Sequence, residues 1–440
     1  MFTPRIQRGR LSRALVLENP DPSLDGQLEA IGLSVHRETD TPDEAKLLEL
    51  IAEHRPHLIY KRSRVEITER VVNAADDLFA VMLCCIGDDS VDKQATASRG
   101  VMVMNDPRSN GRSVVEMVIG QILMGARRIP DAWTETGSNV WKKSASGRFE
   151  IKGKTLGVAG LGSIGSQVAR AAEALGMRVV FYDNSEIARA VGATMDWTAV
   201  NSMGELFASS DVVTLHLSAE DRRGRSNKNA IQREHLLALG ADRPGESPRV
   251  FVNMGRGFLY EPEDLLAATE SGAIRQAFVD VYPVEPRNSA ESWVNPYAGD
   301  RRIHSTPHIG AATREAQPRI ARKMAGTTRA FSWAGTVDDC VYAPRRRIDV
   351  ASTAESPHIL AVVHSDARGT KKAVDDAIYG AGLSNLQSAH RDFARYGIAY
   401  DLSVLDRALT DDELAGLITE ARSITGREDA IRAIRQMTLE

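Results

Sequence analysis

Short apolar runs alternate with stretches of helical periodicity along most of the chain. Between residues 13 and 104 the runs Ala14–Leu17, His57–Tyr60, Phe79–Leu83 and Val101–Met104 read as strands, with helices at Asp43–His54 and Thr68–Ala75 between them. Such alternation implies a parallel sheet covered on both faces. Ser113–Arg127 is apolar on nearly all sides, which predicts a helix buried by a second domain or a second subunit. Thr134–Ser146 is polar and reads as a connector. Strands then follow at Leu156–Ala159, Arg178–Tyr182, Asp211–Leu217, Val250–Asn253 and Ala277–Val281, and an amphipathic helix spans Thr313–Trp333. Cys340–Asp349 reads as a linker. Beyond it come strand Ile359–His364, helix Lys371–Gly380, strands Leu383–Ala389 and Gly397–Val404, helix Asp411–Ser423 and strand Ile431–Thr438, a βαββαβ order. The expected fold class is therefore α/β, with two doubly wound parallel-sheet domains and a small α+β domain after them.

One stretch, Thr155–Asp183, carries more than a fold. Gly160, Gly162 and Gly165 form a GxGxxG between an apolar strand and a helical repeat, the context that pattern requires. Gly160 permits the tight turn, Gly162 lets a pyrophosphate approach, and Gly165 lets helix and strand pack closely. The phosphates would rest on free N–H groups at the positive end of the helix. Asp183 ends the second strand, where a carboxylate accepts from both ribose hydroxyls and repels a 2′-phosphate. NAD is the cofactor expected.

A length of 440 residues calls for two or three domains, and 42% hydrophobic with 26% charged residues is ordinary for a soluble globular protein. The net charge of −4 argues against nucleic acid as a partner. Three cysteines, Cys84, Cys85 and Cys340, offer neither a disulfide framework nor a metal-ligand spacing. The basic N-terminus lacks an apolar signal region, and Val114–Met124 is too short to span a membrane, so a cytoplasmic protein is expected.

Four sites of chemistry stand at strand ends, where ligands of open α/β sheets bind. Tyr60-Lys61-Arg62-Ser63-Arg64 gathers cations that could hold a doubly charged group. Arg256, Glu285 and His308 each follow a strand of the second domain. Together they suit hydride transfer at a hydroxyl carbon. The imidazole exchanges the hydroxyl proton, the carboxylate orients it and favours its charged form, and the arginine forks onto a substrate carboxylate.

With these residues in view, the chain resembles the D-isomer-specific 2-hydroxyacid dehydrogenases with a C-terminal ACT domain. The marks are Arg62-Ser63-Arg64, Cys85-Ile86-Gly87, Ser109-Asn110, Arg112-Ser113, Glu116, Gly160-Leu-Gly-Ser-Ile-Gly165, Asn253, Arg256-Gly257, Asp280-Val281, Glu285-Pro286 and Thr306-Pro-His-Ile-Gly310. The resemblance implies a flavodoxin-like lid domain from residues 1–109 and 311–345. It implies a Rossmann nucleotide domain at 110–310 and an ACT-like domain at 346–440. It makes Arg256, Glu285 and His308 the catalytic trio. Cofactor contacts would come from Gly160, Gly162, Ser163, Ile164, Gly165, Asp183, His216 and Asp280. Substrate contacts would come from Arg62, Ser63, Arg64, Gly87 and Arg108. A homodimer or homotetramer, joined through the nucleotide domain, is also implied.

The expected substrate is a D-2-hydroxy acid with a second anionic group, 3-phosphoglycerate first among them. Another 2-oxo acid such as phosphonopyruvate is the alternative within the same chemistry. A non-catalytic NAD(H)-sensing protein is the alternative from another class. Several positions depart from the family pattern. Arg108 stands where an aromatic is usual and Gly111 where threonine is usual, and His216-Leu217-Ser218 lacks a proline. The added arginines of Asp221–Arg225 suggest tolerance of NADP, and His364-Ser365-Asp366 replaces the His-x-Asn of serine-sensing tails, with Asn385 only loosely placed to help.

Overall fold

The computed structural model describes residues 2–438 except 222–223, 244, 287–290, 345 and 352–357. The chain forms two compact units, residues 110–316 and residues 1–109 with 317–440.

The unit of residues 110–316 is built on a seven-stranded sheet, parallel throughout. Thr155–Ala159 lies inside it. Arg178–Tyr182 and Thr198–Ala199 extend to one side, then the chain crosses back and adds Val212–Leu215, Val250–Asn253, Gln276–Val279 and Ile303–Ser305 on the other. The direction of winding therefore reverses beside Thr155–Ala159, and that reversal opens the crevice in which α/β sheets bind ligands. The helix Gly111–Arg127 packs on the helix Ser163–Ala174 and on the sheet, burying Val114, Val115, Val118 and Ile122. Gly125 makes that approach possible, since a Cβ there would stand 2.9 Å from Phe278 and Val250. A second helix, Ile129–Gly137, occupies the first part of the expected connector.

The other unit holds a five-stranded parallel sheet in the order Ser34–Arg37, Arg13–Val16, Leu58–Lys61, Ala80–Leu83, Met102–Asn105. Its first strand in sequence has neighbours on both sides, the flavodoxin-like winding. Asp43 and Thr68, read from sequence as helix starts, are N-caps whose side chains accept from the Lys46 and Val71 amides. The tail adopts the βαββαβ order, from His358–Ser365 through Ile431–Thr438.

Its sheet gains a strand that the periodicity did not reveal. Arg5–Arg8 pairs in parallel with Ile431–Thr438, so the two ends of the chain share one sheet. One face of that sheet, with Ile359, Ala361, Tyr400 and Leu402, joins the same apolar core as the parallel sheet. The other lies under the helices Thr370–Gly380 and Asp411–Thr425.

Buried arginines fasten the join. Arg5 donates to the carbonyls of Arg99 at 2.6 Å and Ala75 at 2.8 Å, each a helix C-cap, where a cation meets the negative end of a helix. Arg435 does the same at Phe331 and Ser332 in the last turn of Ala316–Ala334. Burial pushes both guanidinium groups down to about 10. The start of the segment 340–349, read as a linker, is packed rather than loose. Cys340, Val341 and Tyr342 are buried, and the Tyr342 hydroxyl donates to the Val101 carbonyl at 2.7 Å.

Candidate active site

Strand register sets the site of the nucleotide unit. Tyr182, Ala159, Leu215, Asn253, Val279 and Ser305 pair side by side across six neighbouring strands. Each is followed by a turn at the carboxyl edge, and every candidate of this unit lies in one of those turns or in the first turn of the helix Ser163–Ala174. Asp183 follows Tyr182, the glycine loop follows Ala159, and His216 follows Leu215. Arg256 comes after Asn253, Asp280 and Glu285 after Val279, and His308 after Ser305.

The glycines have separate reasons to be glycine. Gly160 has φ +91° and a Cβ there would meet the His216 carbonyl at 2.8 Å. At Gly165 a Cβ would fall 2.1 Å from the Gly160 carbonyl, so helix Ser163–Ala174 cannot sit this close with any other residue. Gly162, the N-cap, faces open space and no side chain caps that helix end. Ser163 and Ile164 form the first turn there. The arrangement fits a pyrophosphate, which the first-turn amides can receive. Asp183 accepts from the Leu161 and Ser185 amides, both at 2.8 Å, which fixes its carboxylate beside the glycine loop. His216 lies 3.0 Å from Thr214 Oγ1, and burial of its ring pushes its pKa down to about 4. It is a neutral neighbour of the cofactor loop.

Arg222 and Arg223 of the added basic loop lie outside the described residues. Arg225 is bound to Asp221 at 2.7 Å, which offsets its charge.

At the other end of the row, His308 Nδ1 stands 2.7 Å from Glu285 Oε2, and Glu285 Oε1 accepts from the Tyr282 amide at 3.1 Å. The carboxylate is thus held by the backbone on one side and holds the imidazole on the other. His308 has φ +54°, a left-handed conformation that costs a non-glycine residue energy and requires support. Asp280 supplies that support. Its Oδ1 accepts from Thr306 Oγ1 at 2.5 Å and the Ile309 amide at 2.9 Å, and its Oδ2 from the Gly310 amide at 2.8 Å. Asp280, expected as a cofactor contact, therefore also positions the histidine turn. The His308 side chain keeps 45% of its exposure, so a reactant can reach it.

Arg256 is half-buried in a turn held by Asn253, whose side chain accepts from Gly255 and donates to the Arg256 carbonyl, both at 3.0 Å. Gly257 lets that turn touch the next one, because a Cβ would lie 1.9 Å from the Tyr282 carbonyl carbon. The arginine turn and the glutamate turn are thereby fitted to each other. Sequence reasoning placed Gly257 only as part of a family mark; its own signal was its place directly after a candidate arginine.

The substrate candidates lie in the other unit, again at aligned strand ends. Lys61, Leu83 and Asn105 pair in a row, and Arg62–Arg64, Gly87 and Arg108 follow them. Glu18, a buried residue not singled out from the sequence, organises this edge. Its carboxylate accepts from the amides of Arg62, Arg64 and Val65. Cys85 Sγ donates to the carbonyls of Arg62 and Gly87, linking the two loops. Ser63 and Arg64 are exposed, Arg62 and Gly87 half-buried. Lys61 is fully buried, donates to Ser90 Oγ at 2.6 Å and is pushed below its ordinary pKa by desolvation. It is a structural cation, unlike its neighbours. The exposed Arg108 guanidinium lies 3.9 Å from Asp339.

Comparison with known proteins bears on both halves. Residues 119–310 match the model of the NAD binding domain of D-isomer specific 2-hydroxyacid dehydrogenases. The chain is 34% identical over 372 residues to D-3-phosphoglycerate dehydrogenase of Escherichia coli strain K12, covering 83% of this chain and 86% of that one. It is 38% identical over 288 residues to the D-3-phosphoglycerate dehydrogenase of Haemophilus influenzae, covering 66% of this chain and 67% of that one. Among solved structures, a D-lactate dehydrogenase from Aquifex aeolicus complexed with NAD and lactic acid superposes with a TM-score of 0.60 at 24% identity, over 72% of this chain and 95% of that one.

Proposed function

The chain belongs to the D-isomer-specific 2-hydroxyacid dehydrogenases and is an NAD-dependent dehydrogenase, and from that premise we propose that it interconverts 3-phosphoglycerate and 3-phosphohydroxypyruvate, the first step of serine synthesis. The observation that carries the reading is the His308–Glu285 pair, 2.7 Å apart in the same row of strand ends as the dinucleotide glycines.

In this reading His308 Nε2 takes the proton of the substrate hydroxyl as the C2 hydride departs, and returns it in the reverse direction. Glu285 holds Nδ1 and stabilises the imidazolium formed. Arg256 forks onto the substrate carboxylate and polarises the C2 oxygen. Bound NAD supplies the hydride acceptor. Gly160, Gly162, Ser163, Ile164 and Gly165 seat its phosphates, Asp183 its adenosine ribose, and His216 and Asp280 the remaining contacts. Arg62, Ser63 and Arg64, with Gly87 and Arg108, recognise the substrate and its phosphate by charge-assisted bonds. The relatives named for this activity support the choice of acid. The added Arg108, exposed at this edge, supports as a second reading another anionic 2-oxo acid such as phosphonopyruvate.

The same reading makes the protein cytoplasmic and a homodimer or homotetramer. No helix among the described residues is long and apolar enough to cross a membrane. Leu123, Trp133, Val140 and Trp141 leave apolar surface on the nucleotide unit that a second copy would cover. A panel of phosphorylated and plain 2-oxo acids, followed by NADH absorbance, tests the function. Preference for 3-phosphohydroxypyruvate is expected. Equal turnover of unphosphorylated acids, or tight NADH binding without turnover of any acid, overturns it.

A further inference from the structure

Away from the dehydrogenase residues, one buried cluster has more acceptors than its donors can satisfy. His364, His390 and Asp401 lie on the neighbouring strands His358–Ser365, Asn385–Phe393 and Ile398–Leu405. Asp401 pairs directly with His390, and Ala399, two residues earlier, pairs with His364. All three side chains therefore leave one face of the sheet. It is the helix-covered face, where Leu360 and Val362 of the same alternation pack with Val374 and Leu417. His364 and Asp401 are each 1% exposed, while His390 stands on the edge strand and is open to solvent.

His364 Nδ1 lies 2.6 Å from the Ser365 carbonyl and its Nε2 2.8 Å from Asp401 Oδ2. His390 Nδ1 lies 3.0 Å from Asp401 Oδ1 and its Nε2 3.1 Å from Asp392 Oδ1. All four partners accept. A neutral imidazole has one N–H and one lone pair, so each ring faces one acceptor too many. The two rings share Asp401, whose other cationic neighbour is the Lys371 ammonium, 3.5 Å from Oδ1. One divalent cation resolves both rings together.

We infer that His364 Nε2, His390 Nδ1 and the Asp401 carboxylate form a binding site for a single zinc-class divalent cation. The outer nitrogens already have the partners that metal-bound histidines use. His364 Nδ1–H donates to a backbone carbonyl and His390 Nε2–H to the Asp392 carboxylate. The donor atoms lie within 4.8 Å of one another. Zinc–ligand bonds of about 2.0–2.1 Å place neighbouring donors about 3.3 Å apart, within about half an ångström of the 2.8 Å and 3.0 Å that separate the ring nitrogens from the Asp401 oxygens. Two imidazoles with one carboxylate suit zinc rather than calcium or magnesium. Water entering beside His390 takes the fourth position, and Lys371 keeps its ion pair with Asp375. The cation ties the edge strand to the buried strands, and the inference is independent of which acid the enzyme uses.

The test uses the full chain, stripped by a chelator and titrated with Zn²⁺ against a chromophoric competitor, with Co²⁺ absorption as a second readout. One Zn²⁺ per chain and a tetrahedral Co²⁺ spectrum are expected. Loss of a residue that only hydrogen-bonds a metal ligand costs about 10–100-fold in affinity, so His390→Ala, which removes a ligand, should weaken binding by more than about 100-fold. That variant, at an exposed position, should keep the metal-free melting temperature and the dehydrogenase turnover of the parent. Asp401→Asn should lose the metal as well. Absence of stoichiometric Zn²⁺, or parental affinity in His390→Ala, overturns the inference.

Discussion

In the seven-stranded sheet a candidate side chain is clamped, whereas in the five-stranded parallel sheet the backbone beneath the candidate side chains is held. His308 is fixed through its own ring by Glu285, and its turn is fixed by Asp280. Arg62 and Arg64 are presented by a loop whose amides converge on Glu18. Under the proposed function the difference follows from the chemistry each edge would perform. A proton transferred to a reacting centre tolerates little displacement, and about 1 Å of misplacement can cost 100-fold in rate. A phosphate held by long guanidinium arms, as proposed for Arg62 and Arg64, lets them adjust to it, so a fixed platform would be enough.

This contrast can be broken at its strongest point first. His308→Ala should lower kcat by about 10²–10⁴ while NADH binding, followed by fluorescence, stays at the parental level. Gly257→Ala removes no chemical group, yet its Cβ would lie 1.9 Å from the Tyr282 backbone. Parting the arginine and glutamate turns should cost about 100-fold in kcat, and steady-state assays with either cofactor saturating would show it.

On the other edge the losses should fall on substrate affinity. A charge-assisted bond contributes about 1.5–3 kcal/mol, so Arg62→Ala or Arg64→Ala should reduce kcat/KM for the phosphorylated acid by about 10–100-fold, mainly through KM. Glu18→Gln should act in the same direction with both arginines intact. A kcat effect as large as that of Gly257→Ala would erase the distinction between the two edges.

The smallest effect concerns stability alone. The side-chain bond from Arg302 holds the Asp300 carboxyl at about 2, below its ordinary value. A depressed folded-state pKa stabilises above the unfolded value and is lost as pH falls through about 2. Asp300→Asn should therefore cost about 1–2 kcal/mol at neutral pH, with the difference closing in acid, as melting curves would record. Turnover should stay near the parental level.

Much of this was legible in the sequence because it is local. The glycine spacing, the strand before it and Asp183 after it lie within one βαβ unit, and the structure gives each glycine a distinct steric reason. Arg256, Glu285 and His308 were legible as residues that follow strands, with a carboxylate expected to orient the imidazole, but the bonds that hold their turns were not. Asp280 and Glu18 act on backbone amides distant in sequence, and a carboxylate after a strand carries no pattern that announces such a task. The strand Arg5–Arg8, reading Arg-Ile-Gln-Arg, has too little apolar alternation to mark itself and exists because Ile431–Thr438 offers an edge. The segment 340–349 has a linker's composition, yet Tyr342 anchors it. The cysteines gave no metal spacing, and the His364, His390 and Asp401 set exists only once three strands are paired.

That shared sheet has a bearing on how the protein is made. Arg5 must wait for Ala433, its partner in the ladder, so this strand stays unpaired until a partner made long after it has emerged. Until then the guanidinium group that will close two helix ends stays in water. Ile431–Thr438 must be made before the five-stranded parallel sheet receives that fastening.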